Sequence, residues 1–210
     1  MIPARDALAR LKAGNRRFVA NRLGRSSMAS DERRNALLAG QEPFAIILGC
    51  SDSRVPAEMI FDQGIGDLFV IRVAGNIVAP SLVGSVEFAA EQFHTRLVVV
   101  LGHTLCGAVQ ATIQELELPS GNRSRNLRSI VDRVRPAVEP LLQTELRHDP
   151  KALLVHATRA NIIASADHLR HGSEIIEELI QTNGLAVVGA EYSLETGLVE
   201  FFDDVPERTR

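Results

Sequence analysis

The chain has 210 residues, of which 45% are hydrophobic and 23% charged, and its formal net charge is -3 at pH 7. This size and composition are typical of one globular domain with a full hydrophobic core, so residues 1–210 are predicted to form a single domain. The acidic balance argues against nucleic acid as a partner, and the absence of a signal peptide or a membrane-length apolar run predicts a cytoplasmic protein with no membrane partner.

The first forty residues are predicted to be a helical arm. Apolar residues between positions 7 and 18 recur at the spacing of one helix face, and a second short helix is expected from about Ser30 or Asp31 to Gly40. We therefore divide the chain into an N-terminal helical arm, residues 1–40, and an α/β core, residues 41–210.

Four short apolar runs rich in branched residues are typical of strands that are covered on both faces. They lie at residues 44–49, 68–72, 97–101 and 185–189. Helical stretches are predicted between them, at residues 82–93 with Ser81 as cap, 108–117, 129–143, from Pro150 with Asp149 as cap, and 174–181, with a loop at 119–126.

This alternation predicts a mostly parallel sheet flanked by helices. A turn at residues 195–197 leads into a last strand at 198–202, which is expected to lie antiparallel at the sheet edge. The predicted fold class is therefore α/β, with about four parallel strands, one antiparallel edge strand and the N-terminal helical arm.

The only two cysteines lie in short polar segments that follow predicted strands. Cys50 follows the first strand, while His103 and Cys106 follow the third, and parallel neighbouring strands would bring these segments together beyond their carboxyl ends. Two thiolates and an imidazole suit zinc, with a fourth position left for water or substrate. The alternatives are buried free cysteines with a small apolar role or a Cys50–Cys106 disulfide.

Asp52 lies two residues from both Cys50 and Arg54, which predicts a carboxylate held by a guanidinium beside the metal. Pairing with Arg54 would lower the Asp52 pKa and keep the carboxylate ionised. Asp52 could then be a fourth ligand, a base or a group that orients bound solvent. The alternative is a surface ion pair that contributes little.

The sequence Cys-Ser-Asp-Ser-Arg at 50–54, followed by His-x-x-Cys-Gly at 103–107, resembles the β-class carbonic anhydrases of the plant-like subgroup without the tryptophan. The resemblance runs from residues 11–18 to the turn at 192–197. It implies one zinc per chain, bound by Cys50, His103 and Cys106, and a catalytic pair formed by Asp52 and Arg54. It also implies reversible hydration of carbon dioxide to bicarbonate and a proton by a zinc-bound hydroxide that this pair orients.

The resemblance further implies a homodimer or tetramer whose active sites lie at the dimer interface, with the N-terminal arm packed on the partner. Gln41 would donate a hydrogen bond to bicarbonate, and Phe69 and Ala74 would form an apolar wall from the partner subunit. Ala74 stands where valine is usual and Phe88 where tyrosine is usual. Core packing is the alternative role of Phe69 and Phe88.

Some relatives in this family bind bicarbonate at a second site made of a tryptophan, an arginine and a tyrosine. Arg72 and Tyr192 match two of these positions, but Ile47 replaces the tryptophan, so we expect no such site and an ion-pair role for Arg72. Two other functions stay open: a zinc hydrolase acting on carbon disulfide or carbonyl sulfide, and a non-catalytic zinc sensor with Asp52 as permanent fourth ligand.

Overall fold

Five strands form one sheet at the centre of the fold. In the computed structural model, which describes residues 2–24, 29–118 and 124–205, the sheet order is β2-β1-β3-β4-β5. The strands are β1 (Ala45–Cys50), β2 (Leu68–Val73), β3 (Leu97–His103), β4 (Ala186–Tyr192) and β5 (Val199–Phe201). The first four are parallel and β5 is antiparallel to β4, which confirms the predicted fold class.

The described part of the chain also contains eight α-helices, most of them on the two faces of the sheet. They are α1 (Ala4–Val19), α2 (Asp31–Ala36), α3 (Ala57–Ile60), α4 (Pro80–Gln92), α5 (Gly107–Glu117), α6 (Arg125–Val138), α7 (Pro150–His171) and α8 (Glu174–Asn183). None of the helices in these described ranges is long and apolar enough to cross a lipid bilayer.

The three inner strands are buried along their whole length, which is why their sequences read as continuous apolar runs. Alternate residues point into two clusters, one on each face of the sheet. One cluster packs against α1 and α3, and the other packs against α4, α7 and α8. Because helices pack on both faces of the sheet, the carboxyl ends of β1 and β3 are held in fixed positions.

Two helix starts differ from the sequence prediction. Ser81 is not the cap of α4, which begins at Pro80 because proline needs no partner for an amide hydrogen in the first turn. The helix predicted at 129–143 begins earlier, at Arg125, where the Ser124 side chain accepts a hydrogen bond from the Leu127 amide. The predicted loop is correspondingly shorter, and residues 119–123 of it lie outside the described residues. Asp149 caps α7 as predicted.

The first helix of the arm packs on the sheet of its own chain, and its expected contact with a partner subunit stays a prediction. Leu11 is fully buried in the chain's own core, and Gly14 approaches the backbone of Phe61. The buried Asn15 side chain donates to the carbonyls of Ile60 and Gly197, at 3.2 and 2.9 Å, and so ties α1 to α3 and to the turn before β5. The apolar face of α1 is therefore buried, and Asn15 is hydrogen-bonded, by residues of the same chain.

Replacing Gly14 by alanine tests this docking of α1. A Cβ atom at Gly14 would lie 1.8 Å from the Phe61 carbonyl oxygen, so the backbone must move to admit it. We expect Gly14→Ala to lower the free energy of unfolding by about 3 kcal/mol, measured by urea denaturation. The matched control is Gly24→Ala, because nothing lies within 4 Å of a Cβ there. Equal stability of the two variants would contradict the close contact between α1 and α3.

Candidate metal centre

The carboxyl ends of β1 and β3 bring the two cysteines and the predicted histidine into one cluster. Cys50 is the last residue of β1, His103 is the last residue of β3, and Cys106 directly precedes α5. Their sulfur and ring nitrogen atoms all lie within 4.8 Å of one another. The three residues are 5, 0 and 1% exposed, in that order. The predicted convergence of the two strand ends is confirmed.

A tight turn after β3 carries Cys106 back towards Cys50. Leu105 adopts a left-handed conformation with φ 57°, which reverses the chain within two residues of His103. The turn is fastened to the next strand, since the Thr104 amide donates to the Tyr192 carbonyl at 3.0 Å and the Leu194 amide donates to the Thr104 hydroxyl at 3.0 Å. The close His-x-x-Cys spacing therefore places both donor atoms on one side of the turn.

The electrostatics of the cluster favour a bound cation. Both cysteines are free, which excludes the disulfide alternative. The hydrogen bond with Cys106 lowers the pKa of Cys50 despite burial, whereas the Cys50 thiolate and burial raise the pKa of Cys106. The pKa of His103 is raised by Cys50, although burial opposes the shift. One thiolate therefore forms readily, and the second forms at a cost that a divalent cation would offset.

The imidazole of His103 is oriented as a metal ligand would be. Its Nδ1 atom lies 2.9 Å from the Thr104 carbonyl oxygen, which can only accept, so Nδ1 carries the proton of the neutral ring and the lone pair of that ring is on Nε2. That Nε2 atom is buried, and among the described residues it has no hydrogen-bond partner. A buried acceptor beside two sulfur atoms has the donor chemistry of a Cys2His site for a borderline-soft cation.

Asp52 and Arg54 form a forked ion pair beside this cluster. Arg54 donates from Nε to Oδ1 of Asp52 at 2.9 Å and from Nη2 to Oδ2 at 2.7 Å, and its backbone amide donates to Oδ1 at 3.0 Å. Oδ2 of Asp52 lies 3.8 Å from Nε2 of His103. The hydrogen bonds from Arg54 hold the pKa of Asp52 well below its usual range, so the carboxylate is ionised.

Only one of the four predicted pocket residues lies next to the metal cluster within this chain. Ala74 directly follows β2, whose last residue Val73 pairs with Cys50. Gln41 precedes β1, at the opposite end of a strand that spans roughly 17 to 20 Å. Phe69 and Phe88 pack against each other with ring centroids 6.3 Å apart, and Phe88 is 52% exposed.

Arg72 and Tyr192 have separate structural roles. The Arg72 guanidinium donates to the backbone carbonyls of Cys50 and Asp52, at 3.1 and 2.7 Å, and its expected ion-pair role stays a prediction. These bonds hold the segment that carries the first cysteine and the aspartate. Tyr192 is buried on β4, with its ring centroid 6.4 Å from that of Phe18. Two strands, β1 and β3, separate β4 from the strand that carries Arg72.

Sequence reasoning missed one residue that contacts a cysteine. The backbone amide of Gly75 donates to the Cys50 sulfur at 3.4 Å. Gly75 has φ 73°, a left-handed conformation that glycine adopts without strain. The available signal was a glycine directly after a predicted strand that neighbours the cysteine strand.

Comparison with known proteins identifies the family. A family profile described as carbonic anhydrase matches residues 45–199. Carbonic anhydrase 2 of Mycobacterium tuberculosis is 40% identical over 206 residues, which cover 93% of this chain and 91% of that protein. The chain is a β-class carbonic anhydrase.

Further relatives agree with this family assignment. Carbonic anhydrase of Mycolicibacterium smegmatis is 39% identical to this carbonic anhydrase, over 90% of this chain and 89% of that protein. Among solved structures, the β-carbonic anhydrase CafA of Aspergillus fumigatus superposes with a TM-score of 0.72 at 26% identity, covering 96% of this chain and 91% of that one. The β-carbonic anhydrase CcaA gives 0.73 at 27% identity, covering 93% and 95%.

Metal analysis of purified protein tests the cluster directly. We expect one transition-metal ion per chain, because two thiolates and one imidazole provide three donors on rigid strand ends. Cys106→Ser should lose most of this metal, measured by elemental mass spectrometry after gel filtration. The control is His148→Ala, which removes an exposed histidine outside the cluster. Full metal content in Cys106→Ser would exclude Cys106 from the site.

Proposed function

We propose that this carbonic anhydrase hydrates carbon dioxide reversibly to bicarbonate and a proton, with zinc held by Cys50, His103 and Cys106. The observation that carries the proposal is the cluster of three buried donors within 4.8 Å, with an ionised carboxylate 3.8 Å from its histidine. Family membership supports the reaction, and the donor set supports zinc rather than a harder cation.

Three protein donors leave a fourth position on a tetrahedral ion. Zinc held there would lower the pKa of a bound water to about 7 and would so supply a nucleophile at neutral pH. The chain contributes the thiolates of Cys50 and Cys106 and the neutral imidazole of His103. Their burial excludes bulk water from the ligand side, while the half-buried Asp52 marks the side from which substrate enters.

Asp52 has the position and charge of the group that orients the attacking solvent. The Arg54 fork contacts both carboxylate oxygens and holds the side chain in one rotamer. The carboxylate therefore accepts a hydrogen bond without turning onto the metal as a fourth ligand. This restraint favours an open catalytic site over a closed zinc sensor. No feature of the described residues favours carbon disulfide or carbonyl sulfide, so these compounds serve as comparison substrates in the assay.

We also propose that a second copy of the chain completes the substrate pocket. β2 is an edge strand of the sheet, and exposed apolar side chains on neighbouring elements, Met59, Ile65 and Phe88, are available for burial by a partner. Gln41 precedes β1 and Phe69 is the second residue of β2, so both lie at the amino ends of these strands, whereas their own metal cluster lies at the carboxyl ends. A homodimer that pairs these faces would bring them to the partner's cluster, where Gln41 could donate to bicarbonate and Phe69 could line an apolar wall.

Replacing Asp52 by asparagine tests the catalytic pair. Asp52→Asn should keep its zinc but lose carbon dioxide hydration by about 100-fold or more, because a neutral amide neither pairs ionically with Arg54 nor accepts in the same way. Stopped-flow hydration and zinc content are measured on the same sample. The control is Asp132→Asn, whose carboxylate forms a surface pair with Arg135 at 3.6 Å. Unchanged turnover in Asp52→Asn would leave the pair with a structural role only.

A charged substitution at Phe88, one of the exposed apolar side chains near β2, tests the shared pocket. We expect Phe88→Glu to give a monomer by light scattering and to lose hydration activity while it keeps zinc. Leu127→Glu, at a similarly exposed apolar residue on α6, is the control and should stay oligomeric and active. A fully active Phe88→Glu monomer would show that one chain makes a complete site.

A further inference from the structure

Gly75 is held between the metal cluster and a distant helix. Its amide hydrogen points to the Cys50 sulfur, with nitrogen and sulfur 3.4 Å apart. Its carbonyl oxygen accepts a hydrogen bond from Nδ2 of Asn161, at 2.8 Å. Asn161 lies on α7 and is only 2% exposed. Both polar groups of the glycine backbone are therefore engaged, one by a cysteine of the cluster and one by a buried amide side chain.

The conformation of Gly75 depends on these two contacts. Glycine has the widest backbone freedom of any residue, and Gly75 lies in the left-handed region with φ 73° and ψ 20°. Rotation about either backbone angle would turn the amide hydrogen away from sulfur or the carbonyl away from Asn161. A Cβ atom at this position would lie 3.1 Å from Cβ of Ala108, on the helix that follows Cys106. The site thus favours glycine and needs an external restraint on it.

We propose that Asn161 is a positioning residue that acts on the metal site through Gly75. By fixing the Gly75 carbonyl, Asn161 keeps the preceding amide directed at Cys50, where the hydrogen bond withdraws charge from the sulfur and orients its remaining lone pairs. Hydrogen bonds from outside the ligand set tune metal sites in this way, and their loss costs about 10- to 100-fold in metal affinity or activity. The inference rests on the proposed metal-binding role of Cys50.

The helix α7 supplies a restraint that local sequence cannot supply. Asn161 lies 86 residues from Gly75 along the chain, on a helix that packs against β3 and β4. Its position is therefore set by the sheet and not by the loop that follows β2. An apolar side chain there would leave the Gly75 carbonyl buried without a partner, and a loop held only at its ends would be free to rotate.

The test replaces Asn161 by leucine, which has the same branched skeleton of four side-chain heavy atoms and no hydrogen-bond donor. The control is Thr158→Val on the same helix, because Thr158 is also buried and its hydroxyl has no partner among the described residues. Zinc affinity is measured by competition with a chromophoric chelator. Cobalt(II)-substituted protein gives the thiolate-to-metal charge-transfer spectrum, which reports on the metal-bound sulfur atoms, that of Cys50 included. Asn161→Ala, which also removes the donor, is measured in the same way if the leucine variant does not fold.

We expect Asn161→Leu to weaken zinc binding about 10- to 100-fold and to shift the charge-transfer band, while Thr158→Val stays within about twofold of the parent. A parent-like affinity and cobalt spectrum in the Asn161 variant would overturn the positioning role, even if its thermal stability falls. A parent protein that binds neither zinc nor cobalt would instead contradict the proposed metal site. The two failures are thus distinguished within one experiment.

Discussion

Two sulfur atoms and an imidazole nitrogen share a buried space in which all three lie within 4.8 Å of one another. Two thiolates this close repel each other strongly because they are buried away from water, and a divalent cation between them would remove this repulsion. The surrounding structure keeps the three donors together. β1 and β3 bring two of them from adjacent strands, and the left-handed turn at Leu105 returns the third. Arg72 and Gly75 then hold the Cys50 segment through backbone contacts.

The residues of the site differ in their exposure to solvent, and this difference follows their proposed roles in metal binding and in catalysis. The three side chains of the cluster are buried, whereas Asp52 is half-buried and Arg54 is exposed. In the proposed function, burial would fix the donors and exclude competing water, and partial exposure would give substrate access to the carboxylate. The forked pair with Arg54 restrains Asp52 on the open side. In the proposed dimer, the partner's apolar face would cover this side and complete the pocket.

Strand positions and the cluster could be predicted because their signals are local. Continuous apolar runs mark β1 and β3, and the rule that ligands collect beyond parallel strand ends brings Cys50 and His103 together. Contacts made by tertiary packing could not be read in this way. The helical period of α1 shows an apolar face but not whose sheet covers it, and Asn161 is an ordinary polar residue until α7 brings it to Gly75. The prediction starts α6 at residue 129, four residues after its actual start at Arg125, where the Ser124 side chain caps the helix.

In the proposed function, metal held by this cluster is required for carbon dioxide hydration. The most direct measurement is stopped-flow hydration on one protein sample before chelation, after removal of metal, and after addition of one equivalent of zinc per chain. We expect activity to disappear with the metal and to return in proportion to zinc up to one equivalent. Hydration that persists in metal-free, folded protein would contradict it, as would protein that regains one zinc per chain without regaining activity.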